Sequence, residues 1–289
     1  MQIFVTGVTG QVGWELNRSL LPLGLVVPLS RADADLSRPE NLAQLIRQRR
    51  PRVVVNPAAY TAVDRAESEE ALAAQVNGVA LGIIAEACKE VDALLVHYST
   101  DYVFDGEKQG AYVETDTTAP KSAYGRSKLA GEKALQSAQA DYLLLRTSWV
   151  YGRRGNNFLK TMLRLANERD EIRVVADQHG VPSWSRLIAD TTAQLVALRL
   201  RDRIAPRQTL HLSARGPTTW HGFASEIIQR GAKLGLCKAI KVHPIATSEY
   251  PTPAKRPLNS VLAVDLLEQQ SQLQMPDWKA CVQACLAEL

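Results

Sequence analysis

Tyr124 and Lys128 lie four residues apart in a segment, 122–136, whose pattern predicts a helix. Residues with this spacing project from one helix face, so we expect the phenol and the ammonium to lie side by side. A tyrosine with an ordinary pKa of about 10 transfers protons poorly at neutral pH, but a nearby cation stabilises the phenolate and lowers that pKa. The pair therefore predicts a general acid, Tyr124, that is tuned by Lys128, whose ammonium can also reach a nicotinamide ribose.

Thr100 is a third candidate, because it follows an apolar run, 93–97, that predicts a strand. In open α/β sheets, ligands bind beyond the carboxyl ends of the strands, so we expect the Thr100 hydroxyl to hydrogen-bond a substrate oxygen. A tyrosine and a lysine four residues apart occur by chance in many helices. Their combination with Thr100 and with an upstream glycine loop is much more specific.

That loop connects the first predicted strand to the first predicted helix and contains Gly7, Gly10 and Gly13. Gly7 permits a tight turn, Gly10 lets the backbone approach a pyrophosphate, and Gly13 allows close contact between helix and strand. The helix N-terminus adds free N–H groups and positive potential for phosphates. The loop therefore predicts a dinucleotide site, and the alternative is a purely structural turn.

The end of the second predicted strand, 25–29, indicates which dinucleotide binds. Sites selective for NAD usually place an acidic residue there, whereas this strand is followed by Ser30 and Arg31. A guanidinium can hold a 2′-phosphate through two hydrogen bonds, so the pattern favours NADPH. The alternative is that Arg31 is merely exposed and that Asp33 or Asp35 contacts the ribose or the adenine.

These candidates need a scaffold that brings strand ends together, and the first half of the chain alternates apolar runs with amphipathic stretches. The apolar runs predict five strands, at residues 2–6, 25–29, 53–55, 93–97 and 142–146. Strands that are apolar throughout, with helices between them, are typical of a parallel sheet covered on both faces. Right-handed crossovers then predict an α/β fold with a Rossmann-type doubly wound sheet.

The regular alternation weakens after residue 150, where prolines and short irregular stretches become frequent. We therefore predict an NADP(H)-binding domain over residues 1–150 and a smaller C-terminal α/β domain over 151–289 that binds the substrate. A helix predicted over 187–200 is expected to return to the first domain.

The composition fits a globular enzyme, because 46% of the 289 residues are hydrophobic and 22% are charged. A net charge of +4 gives no reason to expect a nucleic-acid partner. The longest apolar runs are far shorter than the roughly 18 residues of a membrane span, and no basic leader precedes the first strand. The four cysteines lack metal-binding spacing and are expected to be buried, reduced thiols. We therefore expect a cytoplasmic protein without nucleic-acid or membrane partners.

Four further segments complete a pattern that resembles the extended short-chain dehydrogenase/reductase family. They read NPAAYTAVD at 56–64, YSTDYVF at 98–104, RTSWVY at 146–151 and YPTPAKRP at 250–257. The resemblance runs over nearly the whole chain, and the last two segments separate it from sister epimerases and dehydratases. It implies NADPH-dependent reduction of the C4 keto group of dTDP-4-dehydro-L-rhamnose to dTDP-L-rhamnose. This is the last step in making that sugar nucleotide for cell-surface polysaccharide, including lipopolysaccharide O-antigen.

The resemblance also implies roles for single residues. Tyr124 would protonate the C4 oxygen, Thr100 would polarise it, and Lys128 would hold the ribose. Positions that match the cofactor-lining part of the family are Gly10, Gln11, Val12, Asp35, Leu36, Ala58, Ala59, Tyr60 and Tyr98. Positions that match substrate contacts are Asp101 and Trp149. The pair Lys255 and Arg256 suits the nucleotide diphosphate by its charge.

Two departures from the family pattern concern the cofactor and a metal. Ser30 stands where members that accept NADH often carry an acid, so NADH is the less favoured cofactor. The resemblance also allows Mg²⁺ at a dimer interface built from glutamates, and with it a homodimer. Glu15 and Glu288 could belong to such a set, but Arg186 stands where another carboxylate is expected. The metal ligands are therefore left unassigned.

Two alternatives of other kinds stay open. A sugar-nucleotide epimerase or dehydratase of the same family would keep its nicotinamide bound and regenerate it. A dehydratase would also be expected to carry an acid pair near the end of the fourth strand, where Asp101 stands alone. A non-catalytic regulatory subunit could keep the nucleotide fold but would not need Thr100, Tyr124 and Lys128, which are all present.

Overall fold

The computed structural model describes residues 1–289, which alternate between strands and helices. The strands are β1 (Gln2–Val5), β2 (Leu25–Pro28), β3 (Val53–Asn56), β4 (Leu94–Thr100), β5 (Tyr142–Thr147), β6 (Val150–Tyr151), β7 (Glu171–Val175), β8 (His179–Gly180), β9 (Ser183–Trp184), β10 (Gln208–His211), β11 (Thr218–Thr219) and β12 (Lys241–Ile245). The helices are α1 (Gln11–Ser19), α2 (Glu40–Arg49), α3 (Val63–Ala66), α4 (Glu70–Ala74), α5 (Ala80–Glu90), α6 (Ala123–Ala138), α7 (Phe158–Glu168), α8 (Ser185–Leu200), α9 (Trp220–Lys233), α10 (Asp265–Ser271) and α11 (Trp278–Leu286). A π-helical segment, Gln75–Val79, joins α4 to α5, and 3₁₀ turns cover Leu21–Leu23, Asp101–Val103 and Thr247–Glu249.

Six strands form one parallel sheet in the order β2-β1-β3-β4-β5-β10. The chain runs from β1 outward to β2 and then crosses to β3 on the other side of β1, so the winding reverses at β1. The predicted Rossmann-type doubly wound sheet is therefore confirmed, and five of its six strands lie where the apolar runs predicted them. A reversal of this kind leaves a crevice beyond the carboxyl ends of β1 and β3 that suits a ligand.

Both faces of the sheet are buried, because alternate strand residues point to opposite sides. Ile3 and Val55 belong to one core cluster, together with side chains of α1 and α8. Phe4 and Val54 belong to the other cluster, together with side chains of α2, α5 and α6. Burial on both faces explains why these strands are apolar without alternation.

The part of the chain after β5 builds a third core from α7, α9 and α11 around Tyr151. Cys237, Cys281 and Cys285 lie in this core, and all four cysteines of the chain are buried and free, as predicted. The strand pairs β6–β9, β7–β12 and β8–β11 lie outside the main sheet. Two other elements of this half join the first, because β10 pairs with β5 and α8 packs against α1. The boundary at residue 150 stays a prediction.

The continuous helical stretch Glu70–Glu90 is 21 residues long, and its most apolar 18 residues have a mean hydropathy of 1.5. Its length and composition alone would allow it to cross a membrane. Half of these 18 residues are buried inside the fold, where α5 packs against both α2 and α6. This packing accounts for its apolar composition, so the helix is weak evidence for a membrane span.

Helix α6, which carries Tyr124 and Lys128, is fixed to the sheet by a buried ion pair. Arg146 on β5 donates hydrogen bonds of 3.0 and 2.7 Å to the two carboxylate oxygens of Glu132 on α6. Both side chains are buried, so removing either partner would leave an uncompensated charge. The Ser122 hydroxyl accepts from the N–H of Gly125 and caps the helix N-terminus. The helix is therefore held firmly against β4 and β5.

Candidate active site

The glycine loop has the backbone geometry of a phosphate-binding turn. Gly7 has a φ of +56°, and a Cβ atom on it would lie 3.0 Å from the backbone of Ala58 after β3. A Cβ atom on Gly13 would lie 2.2 Å from the carbonyl oxygen of Gly7, so glycine is required for α1 to pack this close to the loop. Helix α1 begins at Gln11 without a side-chain cap, which leaves its first N–H groups free for an anion. The loop therefore fits the pyrophosphate of a dinucleotide.

Gly10, Gln11 and Val12 form the turn between the loop and α1. The N–H of Gly10 donates to the carbonyl oxygen of Gly7 at 2.9 Å and closes the turn. The Gln11 side chain accepts from Asn157 at 3.0 Å, so it links the loop to the start of α7. Val12 is half-buried against the core cluster on the α1 side of the sheet. Backbone groups rather than these side chains are thus available to phosphates.

Arg31 lies on the surface after β2. Its side chain is 82% exposed, and its Nε atom lies 3.5 Å from Oδ2 of Asp35. A surface ion pair of this kind contributes little stability, so the guanidinium can leave Asp35 for a phosphate. The strand end itself lies beside the glycine loop, because the N–H of Leu29 donates to the carbonyl oxygen of Val5 at 2.7 Å.

The acidic residues near Arg31 already have partners. Asp33 accepts from the Ser30 hydroxyl at 2.6 Å and from the Ser30 N–H at 2.9 Å. Asp35 accepts from the N–H and the hydroxyl of Ser37, both at 2.9 Å, and these bonds hold the pKa of its carboxyl below the usual value. Leu36 is buried in the core beneath β2, so its backbone alone can face a cofactor. These contacts favour Arg31 over the carboxylates as the ribose-side contact.

Asn77 fixes the loop after β3, and the sequence analysis did not select it. Its side chain accepts from the N–H of Tyr60 at 2.9 Å and donates to the Tyr60 carbonyl oxygen at 3.0 Å and to the Ser127 hydroxyl at 2.9 Å. Ala58 and Ala59 are half-buried in this loop. Asn77 lies in the π-helical segment, a distortion that often marks functional sites. In the sequence, the signal for Asn77 was a polar amide residue within an otherwise alanine-rich predicted helix.

The Lys128 ammonium is buried and hydrogen-bonded to β4. It donates to the carbonyl oxygen of Tyr98 at 2.6 Å and lies 3.0 Å from Nε2 of His97. Burial lowers the pKa of Lys128 to about 8, and the charge of Glu132 opposes that shift. The Tyr98 side chain points away from this edge, because its hydroxyl bonds to Thr192 on α8 at 2.8 Å. Tyr98 therefore contributes its backbone to the site.

Tyr124 is buried and packs edge-to-face on Tyr102, with ring centroids 5.6 Å apart. Burial raises the pKa of Tyr124 above its usual value, the charge of Asp101 raises it further, and the Thr100 hydroxyl opposes the shift. The prediction that Lys128 lowers this pKa is wrong for this arrangement, because the ammonium is bonded to β4 instead. Tyr124 therefore carries its proton throughout the neutral pH range and can act as a donor.

Thr100 and Asp101 end β4 beside Tyr124. The Thr100 hydroxyl donates to Oδ1 of Asp101 at 2.9 Å and accepts from the N–H of Tyr102 at 3.2 Å. Burial raises the pKa of Asp101 to about 6, while the hydroxyls of Ser260 and Thr100 oppose the shift. Oδ2 of Asp101 is buried without a hydrogen-bond partner. Buried oxygens are rarely left so, and this one is available to a ligand hydroxyl.

Trp149 joins the end of β5 to the third core. It has a φ of +46°, which is a strained conformation for a bulky residue and recurs at ligand sites. Its ring stacks on Trp220 with centroids 3.6 Å apart and planes 9° apart. A Cβ atom on Gly180 would lie 2.4 Å from the Trp149 ring, so glycine is required there. Trp220 was not selected from the sequence, because 71 positions separate it from Trp149.

The predicted diphosphate-binding pair lies at a small cleft. Arg256 donates to Asp64 at 2.6 Å and to the hydroxyl of Tyr102 at 3.1 Å, so its charge is partly compensated. Lys255 is exposed at the same cleft. The cleft is lined by Tyr102, Phe104, Asp105, Lys121, Ser122, Lys255, Arg256 and Pro257. Lys255 is therefore the cation of the pair that is free to bind a phosphate, whereas the guanidinium of Arg256 is already hydrogen-bonded to Asp64.

The residues that could have held Mg²⁺ hold a guanidinium instead. Arg186 forms an ion pair with Glu288 and lies 3.4 Å from Oε2 of Glu15. Arginine keeps its charge at all ordinary pH values and provides hydrogen-bond donors but no metal ligand. A divalent cation between the same carboxylates would be repelled by it. The donor set therefore does not fit Mg²⁺.

The arrangement brings together Thr100, Tyr124 and Lys128 between the glycine loop and the third core. A protonated phenol beside a strand-end hydroxyl can deliver a proton to a carbonyl oxygen. All three side chains are at least nine-tenths buried, so water is largely excluded from them. The site thus suits proton transfer coupled to the chemistry of a dinucleotide.

The chain is similar over its whole length to proteins of one family. Residues 1–289 match the family described as RmlD substrate binding domain. A dTDP-4-dehydrorhamnose reductase of Burkholderia thailandensis is 52% identical, over 100% of this chain and 99% of the relative. The protein of the same name from Escherichia coli K12 is 46% identical, over 100% and 98%. A solved dTDP-4-dehydrorhamnose reductase from Bacillus anthracis, in complex with NADP, is 35% identical and has a TM-score of 0.92, over 100% of this chain and 99% of that one.

Proposed function

Because this chain belongs to the family of the RmlD substrate binding domain, we propose that it reduces the C4 keto group of dTDP-4-dehydro-L-rhamnose to dTDP-L-rhamnose with NADPH. The observation that carries the proposal is the buried, protonated Tyr124 beside Thr100 at the end of β4. Relatives that share most of this sequence pattern are named for the same reaction. It is the last step in making dTDP-L-rhamnose, a donor for cell-surface polysaccharide.

NADPH, when bound, supplies the hydride that the C4 carbon accepts. Gly7, Gly10 and Gly13 with the N-terminus of α1 hold the pyrophosphate, and Arg31 holds the 2′-phosphate. The loop Ala58–Tyr60 borders the same crevice. The NADP complex of the Bacillus anthracis relative supports the choice of NADPH over NADH.

Tyr124 gives its hydroxyl proton to the C4 oxygen as negative charge develops there. Because burial keeps the pKa of Tyr124 high, the acid form is fully populated at neutral pH. When its hydroxyl turns from Asp101, Thr100 donates a hydrogen bond to the same oxygen and so orients the keto group. Lys128 holds the ribose of the cofactor.

The sugar and the diphosphate lie on the side of the third core. Oδ2 of Asp101, which lacks a hydrogen-bond partner, accepts from a sugar hydroxyl. The stacked Trp149 ring supplies an apolar wall for the sugar. Lys255 binds the diphosphate, together with Arg256 once that side chain turns from Asp64.

We infer a cytoplasmic location and no membrane or nucleic-acid partner. The ligands of this activity are small, soluble anions, and the buried free thiols suit a reducing compartment. A homodimer is proposed only as an expectation from the family. Because Arg186 pairs with Glu288 and lies beside Glu15, these carboxylates do not support a metal ion that bridges two subunits.

The proposal is tested by mixing the purified protein with NADPH and dTDP-4-dehydro-L-rhamnose and following the nicotinamide absorbance, with the product identified by mass. Stoichiometric NADPH oxidation with formation of dTDP-L-rhamnose supports a reductase. Conversion of a nucleotide sugar without net NADPH oxidation would instead indicate an epimerase or dehydratase. No conversion of intact substrate by folded protein that binds NADPH would favour the non-catalytic alternative.

A further inference from the structure

His97 lies within β4 and is almost completely buried. Both ring nitrogens have partners. Nε2 lies 3.0 Å from the Lys128 ammonium, and Nδ1 lies 3.1 Å from the carbonyl oxygen and 3.3 Å from the side-chain amide nitrogen of Asn56. An ammonium is a pure donor, so Nε2 must accept, and this contact assigns the tautomer of the neutral ring. Nδ1 carries the hydrogen and donates it to Asn56, and Nε2 accepts from Lys128.

Asn56 is held in turn by the first strand. Its Oδ1 atom accepts from the Thr6 hydroxyl at 2.5 Å, and Thr6 directly precedes Gly7 of the glycine loop. A buried chain of polar contacts therefore runs from the end of β1 through β3 and β4 to α6. These contacts connect the glycine loop to the Lys128 ammonium, which the proposed reaction uses.

We propose that His97 is a positioning residue for Lys128, which it holds as a hydrogen-bond acceptor so that one N–H stays directed at the cofactor ribose. This inference rests on the proposed function for the use of Lys128. An ammonium has three N–H donors, and His97 and the Tyr98 carbonyl take two of them. Without these two acceptors, the four-carbon stem of Lys128 would be free to rotate. Fixing it in advance saves ordering entropy when a ligand binds.

The charges around Lys128 make the effect of His97 measurable. Glu132, one turn along α6, favours the ammonium, but its carboxylate is shared with Arg146. Tyr124 and Tyr98, on the elements packed against Lys128, are neutral. His97 stays neutral too, because burial and the charge of Lys128 hold its pKa well below the usual value. An imidazole acceptor stabilises the ammonium, so its loss should lower the pKa of Lys128 below about 8.

The test compares His97→Leu, which removes the acceptor, with His97→Gln, which offers an amide oxygen to Lys128. In His97→Leu we expect kcat/KM to fall by about 10- to 100-fold, the size of effect that small misplacements cause. We also expect the alkaline limb of its pH profile to move to lower pH by about one unit. His97→Gln should recover most of the rate and the wild-type limb. Folded His97→Leu with unchanged kinetics and pH profile would overturn the proposal, as would equal losses in both variants with an unmoved limb.

A second measurement needs neither variant activity nor the substrate. In wild-type protein with ¹⁵N-labelled histidine, the signal absent from His97→Gln identifies His97. We expect the neutral tautomer with the proton on Nδ1 between about pH 5 and pH 9. A ring that titrates in this range, or that carries its proton on Nε2, contradicts the proposal even if His97→Leu does not fold. Failure of the reductase assay with this tautomer intact would reject the proposed function alone.

Discussion

The hydroxyl of Thr100 donates a hydrogen bond of 2.9 Å to Oδ1 of Asp101, inside a part of the site where both side chains are at most 5% exposed. The bond uses the single hydroxyl proton of Thr100. The Thr100 oxygen can then accept a hydrogen bond, and the Tyr124 hydroxyl is left as the proton donor of the site. The protonation state of the Asp101 carboxyl therefore determines the orientation of the Thr100 hydroxyl.

Burial of Asp101 should make the free energy of unfolding depend on pH. The pKa of this carboxyl rises from 3.8 to about 6 on folding, so the native state binds the proton more tightly than the unfolded chain. The stabilisation that protonation gives is present below about pH 4 and is lost as the pH rises through about 6. We expect Asp101→Asn, relative to wild type, to gain up to about 3 kcal/mol between about pH 4 and about pH 7.

Denaturant unfolding of both proteins at the two pH values measures this difference. Comparing two pH values cancels the constant effect of the amide on packing. Asp92→Asn is the matched control, because it makes the same substitution at an exposed side chain. A gap between wild type and Asp101→Asn that is the same at both pH values would show that Asp101 titrates normally.

Replacing Tyr124 with phenylalanine should remove the proton donor while keeping the ring that packs on Tyr102. We expect turnover to fall at least about 100-fold, as is typical for loss of a general acid, with NADPH affinity within a few-fold of wild type. Steady-state kinetics and quenching of protein fluorescence by NADPH measure the two quantities. Tyr142→Phe is the control, because Tyr142 lies at the start of β5, at the opposite end of that strand from the site. Nearly normal turnover in Tyr124→Phe would remove Tyr124 from its proposed role.

Replacing Arg31 with alanine should change cofactor selectivity. The guanidinium is exposed and weakly held by Asp35, so its loss should cost little stability. We expect KM for NADPH to rise about tenfold or more, while KM for NADH changes little, because NADH lacks the 2′-phosphate. Arg169→Ala, an exposed arginine beyond α7, is the control. Equal losses for NADPH and NADH would refute the assignment of Arg31 to the 2′-phosphate.

Chelation of divalent metal should leave the wild-type protein unchanged. Because Arg186 already pairs with Glu288 and lies beside Glu15, we expect the thermal unfolding midpoint to be the same with EDTA or Mg²⁺. Arg186→Glu places a third carboxylate in the cluster, so it should unfold at lower temperature and regain stability when Mg²⁺ is added. Arg164→Glu on α7 controls for the change in net charge. A wild-type midpoint that falls with EDTA would show that a metal binds in spite of Arg186.

The sequence was sufficient to predict the parallel sheet, because burial on both faces forces β1, β3, β4 and β5 to be apolar. Strand β10 was missed, since it is short, begins with Gln208 and lies at the sheet edge. The glycine loop could be recognised because its glycines are required by close contacts that are mostly local. A Cβ atom on any of them would approach the backbone of a residue within the loop or of Ala58.

Partners that are distant in sequence could not be predicted. Spacing alone placed Lys128 beside Tyr124, but its bonds go to Tyr98 and His97, about 30 residues upstream on β4. Arg256 meets Asp64 across 192 positions of the chain. Such contacts depend on which strands become neighbours and on which side chains the packing buries. Local periodicity does not contain that information.

Transfer of deuterium from labelled NADPH tests the central claim most directly. The protein is supplied with dTDP-4-dehydro-L-rhamnose and NADPH that carries deuterium at its transferable position, and the product is examined by NMR. We predict one deuterium at C4 of dTDP-L-rhamnose for each NADPH oxidised. Oxidation of NADPH with hydrogen at C4, or deuterium at any other sugar carbon, would contradict the account.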